Sequence, residues 1–309
     1  MRKTSLNSVT KLAKKDKRVI FIGSDLGAGT MDEFQKNYPD RFFMEGIAEQ
    51  NMIGMAAGLA MDGYIPYLNT IASFITRRCL EQITIDLCLH NLPVRLLGNG
   101  GGLVYAPLGP THLAPDDIAL MRTLPNMTIV APSDAMEMAA IMKETLELPG
   151  PVYIRLGKGG DPVVFPKGGK VKIGKALELR EGRHAIFIST GIMSHRALVA
   201  AEMLAKKGLD CAVIHFHTIK PLDHKAILAA ASEFPIIITL EEHSSVGGLG
   251  SAVSEVLVDN GPFPRLKILR LSLPDSFQKN YGSQDALLEA AGLHPKNIAK
   301  TLLNTMFGA

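Results

Sequence analysis

An α/β fold of two doubly wound domains is the architecture this sequence predicts, and two observations carry it. Short strand-like runs alternate with amphipathic or apolar helical patterns from start to finish, the grammar of a mostly parallel sheet covered by helices. The alternation breaks once, near the middle, in a cluster of Gly, Pro and Lys, and then resumes.

The first alternation sets strands at 19–23, 42–44, 65–68, 94–97, 128–131 and 152–155. Before it stands a helix whose wet face carries Lys11, Lys14, Lys15 and Lys17. The helices after Ile47, after Phe74 and over 134–146 have the clearest periodicity. Gly157-Lys158-Gly159-Gly160-Asp161-Pro162 and Pro166-Lys167-Gly168-Gly169 then break the pattern. A second alternation places strands at 185–189, 211–216, 236–240 and 266–269, with helices over 195–207, around 226–231, over 250–258 and at the end. The predicted partition is a first domain at 1–160, a linker at 161–171 and a second domain at 172–309. One continuous doubly wound domain is the alternative, and the Gly/Pro/Lys cluster argues against it. The two halves share a grammar but no repeated words, so no sequence repeat is read.

Composition narrows the class. Hydrophobic content of 47% with 20% charged residues over 309 positions is that of a globular chain able to bury two cores. A net charge of +3 without a basic, aromatic-interleaved stripe gives no reason to expect nucleic acid. No uncharged run reaches membrane length, and the basic N-terminus has no apolar signal core behind it. Cys79, Cys88 and Cys211 have neither metal nor disulfide spacing and read as buried thiols in a reducing, cytoplasmic compartment.

The stretch Met44-Glu45-Gly46-Ile47-Ala48-Glu49-Gln50-Asn51 sets a carboxylate at the opening of an apolar helix rich in small residues (Gly54, Ala56, Ala57, Gly58, Ala60). A carboxylate stripped of solvent there can share a proton with a bound heterocycle. Acids are also common in first helical turns, where they complement free amides and the helix dipole. Asp25 follows the first strand, at the edge where open α/β sheets bind ligands, although an aspartate there can equally bond its own turn. His112 sits in a long Gly- and Pro-rich loop, a type of segment more often functional than idle. The glycines 100–102 in that loop could cradle an anion with their amides, and those at 247, 248 and 250 read as close packing at a helix start.

Five segments in order resemble the second half of transketolase and of deoxyxylulose-phosphate synthase, both thiamine-diphosphate enzymes. They are Gly46 to Gln50, Ser73-Phe74, Gly109-Pro110-Thr111-His112, Ala131-Pro132-Ser133-Asp134, and Glu241-Glu242-His243 with Gly247-Gly248-Leu249-Gly250. The resemblance implies a pyrimidine-binding domain followed by a transketolase C-terminal domain. It makes Glu49 the glutamate that hydrogen-bonds the cofactor's pyrimidine, Phe74 the ring that stacks on it, Ile71 the occupant of a second aromatic position, and Asp25 an acid near the thiamine. His112 then faces the reacting carbons, where imidazole can donate to a developing alkoxide or relay a proton.

The match departs where sugar phosphates are held. Gly100 falls at a histidine position, Gly29 near a phosphate-binding serine, Leu108 at an aspartate, and Lys158 at an arginine, offering a point charge in place of a bidentate fork. Asn99, Lys158 and Arg2 remain as candidate substrate contacts. A sugar other than the ordinary pentose and hexose phosphates is expected.

Families of this kind hold Mg²⁺ and the diphosphate with a Gly-Asp-Gly segment, which occurs nowhere in this chain. The expectation is therefore a split enzyme. A separate N-terminal transketolase subunit would carry the Mg²⁺ and diphosphate-binding domain, with no metal held here, and a second copy of this chain would make homodimer contacts, giving a dimer or heterotetramer. An acyloin synthase or 2-oxoacid decarboxylating component, and a non-catalytic partner chain, are the alternative readings.

Overall fold

The computed structural model describes residues 1–24 and 29–308. Its first half contains α1 (Arg2–Lys15), β1 (Val19–Gly23), α2 (Asp32–Asn37), β2 (Phe42–Met44), α3 (Glu49–Met61), β3 (Ile65–Ile71), α4 (Leu80–Gln82), β4 (Arg95–Asn99), α5 (Asp117–Arg122), β5 (Thr128–Val130), α6 (Ala135–Glu144) and β6 (Val152–Leu156). The second contains β7 (Leu177–Arg180), β8 (Ala185–Ser189), α7 (Met193–Ala205), β9 (Cys211–His215), β10 (Thr218–Lys220), α8 (His224–Glu233), β11 (Ile236–Ser244), α9 (Leu249–Asn260), β12 (Lys267–Leu273), α10 (Gln284–Ala290) and α11 (Pro295–Phe307).

Two sheets result, ordered β10-β5-β6-β4-β3-β1-β2 and β12-β11-β8-β9-β7. All pairings are parallel except those of the edge strands β10 and β7. The alternation of side chains along β1 shows why the sheet must be covered twice. Val19 and Phe21 pack with Leu6, Val9, Phe34 and Met138 from α1, α2 and α6, whereas Ile20 and Ile22 pack with Met52, Ile53 and Ile118 from α3 and α5. In β8, Phe187 meets α7 and α11, and Ile186 and Ile188 face α8 and α9. The core under α3 and α5 runs on through Phe216 and Ile219 to Ile227 and Val253, so the two sheets share one apolar body.

The edge strands β7 and β10 are absent from the sequence expectation. Each is four residues or fewer, and each is called into strand geometry by its neighbour's free backbone groups. β10 comes from the second half yet completes the first sheet, with Thr218 opposite Val130. Conversely, β3, β4 and β11 run past their apolar stretches, through Asn69-Thr70-Ile71, Gly98-Asn99 and Glu241-Glu242-His243-Ser244. The helix after Phe74 is unusually wide, π-helical over Phe74–Arg78 and Ile83–Leu89 on either side of α4. Such wide turns often mark functional positions.

Asp134 caps α6, accepting from the Met136 and Glu137 amides at 2.7 and 3.0 Å, while its other oxygen takes Val164 and Phe165 N–H at 2.7 and 2.8 Å. A single carboxylate thus starts a helix and pins the segment leading to the second domain. Lys11, Lys14, Lys15 and Lys17 are exposed along α1 and just beyond it, and all three cysteines are buried free thiols.

Fully buried Glu137 accepts from His215 Nε2 at 2.9 Å and from Ser133 N and Oγ at 2.6 and 2.8 Å, and His215 Nδ1 lies 2.6 Å from Ser194 Oγ. Burial alone pushes this carboxyl up, but the attraction and hydrogen bond of His215, together with His217 and the Ser133 amide, hold it at about 2. A depressed carboxyl contributes stability that is present above its ordinary value of 4.5 and is lost as pH falls from there toward 2. Glu137→Gln is therefore expected to lower the melting temperature at pH 7 and to flatten its decline in acid, as read by thermal unfolding across pH 2.5 to 7 (roughly the window in which native carboxylates titrate).

Candidate active site

Strands β1, β3 and β4 end together, and polar residues gather at their ends: Ser24 just after β1, Asn69 and Thr70 in β3, and Asn99 in β4. The carboxyl edge of a parallel sheet is where such folds bind ligands. The side chains there are linked. Ser24 Oγ donates to Thr70 Oγ1 at 3.0 Å, and Thr70 Oγ1 lies 3.5 Å from Glu49 Oε1. Asn99 Nδ2 donates to Asn69 Oδ1 at 2.7 Å and to the Thr70 carbonyl at 2.9 Å. Its buried Oδ1 has no hydrogen-bond partner among the described residues, so an acceptor stands ready at this edge.

Glu49 is the first residue of α3 and is only 3% exposed. Its carboxylate is used across the fold, accepting from Arg78 Nη1 at 2.7 Å, where a purely local role would have it serve the helix's own amides. The same guanidinium lies over Phe74, its Cζ 4.1 Å from the ring centroid. The wide turn brings this about. Arg78 follows Phe74 by four residues, nearly one turn of a π-helix, and so returns above it. Ile71 closes β3 opposite Asn99 in register.

His112 reaches this group from the long loop. Its ring centroid is 5.2 Å from that of Phe74, its Nδ1 lies 2.9 Å from Thr111 Oγ1, and its carbonyl accepts from Ser73 Oγ at 3.3 Å. The loop is tied down by a bridge between Gly102 and Ala114 at 2.9 and 3.0 Å. Beneath it, Asp117 accepts from Arg155 Nε at 2.8 Å and from Tyr153 Oη at 2.7 Å, and Arg155 Nη2 donates to the Glu242 carbonyl at 2.9 Å.

The glycines 100–102 do not cradle an anion. The Gly100 and Gly101 amides both donate to the Leu156 carbonyl, and that of Gly102 to Ala114. They are glycines for lack of room and for conformation: at Gly102, φ is +64° and an added Cβ would lie 2.6 Å from the Glu242 side chain. Glu241 accepts from the Leu249 and Gly250 amides at 2.6 and 2.8 Å and so caps α9, which explains the tight packing at Gly248 and Gly250. Glu242 reaches the first domain by accepting from Leu103 N at 2.9 Å, and buried His243 takes the Ala119 amide at 3.2 Å. Glu242 and His243 thus join the domains.

Glu49, Ile71, Phe74, Asn99 and His112 are thus brought to one edge. Lys158 is exposed and lines a separate cavity of about 760 Å³ with His195 and Arg196. Met1 packs against Gly157, so exposed Arg2 opens α1 beside that segment. Asp25 lies outside the described residues. Arg78, Thr70 and Ser24 escaped the sequence reading. Only the four-residue spacing from Phe74 to Arg78 could have drawn attention to one of them.

What the edge offers is a place for a planar, nitrogen-bearing group, with a carboxylate at its rim and an aromatic face beneath, and an imidazole alongside. Residues 1–160 match the family described as transketolase, pyrimidine binding domain, and residues 174–298 match transketolase, C-terminal domain. The chain belongs to the transketolase family, whose members depend on thiamine diphosphate, and it corresponds to the C-terminal half of that enzyme. It is 36% identical over 301 residues to a 6-deoxy-6-sulfo-D-fructose transketolase subunit, SqwH, of Clostridium sp. (strain MSTE9), covering 97% of this chain and 92% of that one. It is 37% identical over 304 residues to one of the subunits of an apulose-4-phosphate transketolase of Phocaeicola vulgatus, covering 98% and 96%. A solved split-gene transketolase described as an inactive beta4 tetramer superposes with a TM-score of 0.90 at 36% identity, over 98% of this chain and 97% of that one.

The Arg78 guanidinium lodged between Glu49 and Phe74 shows that this edge accepts a planar group that presents N–H donors to the carboxylate and a face to the ring, the features of an aminopyrimidine. Among the described residues no group of three or more His, Cys, Asp or Glu could hold a metal ion.

Because Arg155 is 7% exposed and Asp117 fully buried, removing the acid strands a cation in the interior. Asp117→Ala is expected to destabilise the chain by about 3–5 kcal/mol, measured by denaturant unfolding.

Proposed function

We propose that this chain is the C-terminal subunit of a two-chain, thiamine-diphosphate-dependent transketolase that moves a two-carbon ketol unit between sugars. The observation that carries this reading is the convergence of Glu49 and Phe74 on one flat nitrogen-rich group, with His112 at the side where a substrate would approach. The cofactor, when bound, supplies the centre that stabilises the carbanion left by carbon–carbon cleavage. The chain's own part is to orient and exchange protons. Glu49, linked to Thr70 and Ser24, holds the pyrimidine edge; Phe74 and Ile71 support its face; Asp25 assists near the thiamine; and His112 exchanges protons with substrate oxygens.

The diphosphate and Mg²⁺ belong on this reading to an N-terminal partner subunit, in keeping with the subunit names of the relatives. Residues 1–160 form the pyrimidine-binding domain and 172–309 the C-terminal one, joined by 161–171. Asn99 contacts the substrate at this edge, whereas Lys158 and Arg2, which the fold sets apart from it, could do so only from the side of the separate cavity that Lys158 lines. Relatives that act on 6-deoxy-6-sulfo-D-fructose and apulose-4-phosphate, and the departures at Gly100, Leu108 and Lys158, favour an unusual sugar here too. Contacts with a second copy are favoured by the relative described as a beta4 tetramer and by the outer face of α3, where Gly54 and Gly58 border open space; addition of the N-terminal partner would make a heterotetramer. Buried free thiols and the lack, among the described residues, of a helix long and apolar enough to cross a membrane suit the cytoplasm.

Titration calorimetry of thiamine diphosphate with Mg²⁺ is the test, into this chain alone and into a mixture with the N-terminal subunit. Binding in the mixture only is expected; tight binding to the isolated chain would end the two-subunit reading. In the reconstituted pair, Glu49→Ala is expected to abolish two-carbon transfer, and His112→Asn to lower kcat about 10²- to 10⁴-fold with cofactor affinity kept. Release of carbon dioxide from pyruvate without ketol transfer would point instead to an oxoacid decarboxylating component.

A further inference from the structure

Arg78 is placed strangely for an ordinary surface arginine. Its side chain is 41% exposed, yet its guanidinium reaches inward to a carboxylate that is 3% exposed. One planar cation makes an edge-on hydrogen bond to Glu49 at 2.7 Å and a face-on contact with Phe74 at 4.1 Å. Those are the two contacts assigned above to an aminopyrimidine ring. The chemistry is also alike, because a guanidinium and the amidine edge of an aminopyrimidine are both flat N–C–N units with N–H groups in the plane and π-faces above and below.

The surroundings let this arginine leave. Its carbonyl is anchored, accepting from Gln50 Nε2 at 2.9 Å, so the backbone is fixed while the side chain runs along the solvent boundary. The neighbouring Arg77 is committed elsewhere, gripping Asp116 through two hydrogen bonds of 2.8 and 2.6 Å. Among the described residues Glu49 is the only acid paired with Arg78.

We propose that Arg78 is a built-in stand-in for the pyrimidine: with the cofactor absent it seats its guanidinium between Glu49 and Phe74, and cofactor binding displaces it outward. The arrangement has two effects. A buried carboxylate is never left unpaired while the chain awaits its cofactor and partner. The cofactor must compete with an internal ligand, which lowers its apparent affinity by the fraction of molecules in which the seat is taken. This rests on the thiamine reading given above.

The experiment uses the wild-type pair, Arg78→Gln and Arg78→Lys, with two readouts: calorimetric affinity of the reconstituted pair for thiamine diphosphate with Mg²⁺, and thermal unfolding of the isolated chain. Arg78→Gln is expected to melt lower than wild type by about 2–4 °C and, in the pair, to bind cofactor about three- to tenfold more tightly. Arg78→Lys keeps a charge for Glu49 but cannot lie flat on Phe74, so its melting is expected near wild type and its affinity between the two. It carries the test if the glutamine variant does not fold. Unchanged or weaker cofactor binding in the folded variants would overturn the proposal, since Arg78 would then be a cofactor contact or a structural pair only. Failure of the wild-type pair to bind the cofactor at all would instead remove the thiamine reading beneath it.

Discussion

Among the described residues, charge enters the interior where a partner meets it, and that constraint organises both the domain junction and the site. An unpaired ion in an apolar interior costs too much on the scale of folding stability. Asp117 is therefore met by Arg155 and Tyr153, Glu137 by His215 and Ser133, and Glu241 by two helix amides. Several of these pairings cross from one half of the chain to the other, as with His215 to Glu137 and Glu242 to the Leu103 amide. The two sheets are held in register by polar contacts laid over a common apolar body, and the loop bearing His112 is fastened to the same frame.

The site obeys the rule in a way that serves chemistry. Glu49 would be an unpaired carboxylate at the mouth of α3 without Arg78, yet the function proposed above needs that carboxylate available to a heterocycle. An exposed, long-chained arginine resolves the conflict, since it can pair with the acid from the solvent side and withdraw. The remaining polar residues, Ser24, Thr70, Asn69 and Asn99, gain their rigidity from being in or next to strands whose backbone is already bonded. Precision at this edge comes from the sheet, and adaptability from the wide helix and the loop.

Most of the framework was legible because apolar runs and helical periods are local signals. Strands 19–23, 42–44 and 185–189 coincide with the observed elements. The errors have one physical pattern. Prediction ended β3 at 68, β4 at 97 and β11 at 240, where polar residues begin, but the strands continue because a backbone ladder does not require apolar side chains once partners satisfy the polar ones. Those polar extensions are where the site and the domain junction lie. The edge strands β7 and β10 were invisible for a related reason, as a few residues adopt strand geometry only when a neighbour offers unpaired amides and carbonyls.

The α/β class, the family, and the residue types at Glu49, Phe74 and His112 were readable along the chain, because motifs and periodicity are properties of neighbouring residues. The sequence could not say whether the glycines 100–102 bind an anion or yield space, and only the folded backbone showed their amides already committed. Nor could it join Glu49 to Arg78, Asn99 to Thr70, or Glu242 to Leu103, since these contacts span 29, 29 and 139 residues and depend on which strands lie side by side. Spatial pairing is decided by packing, and packing is a property of the whole chain.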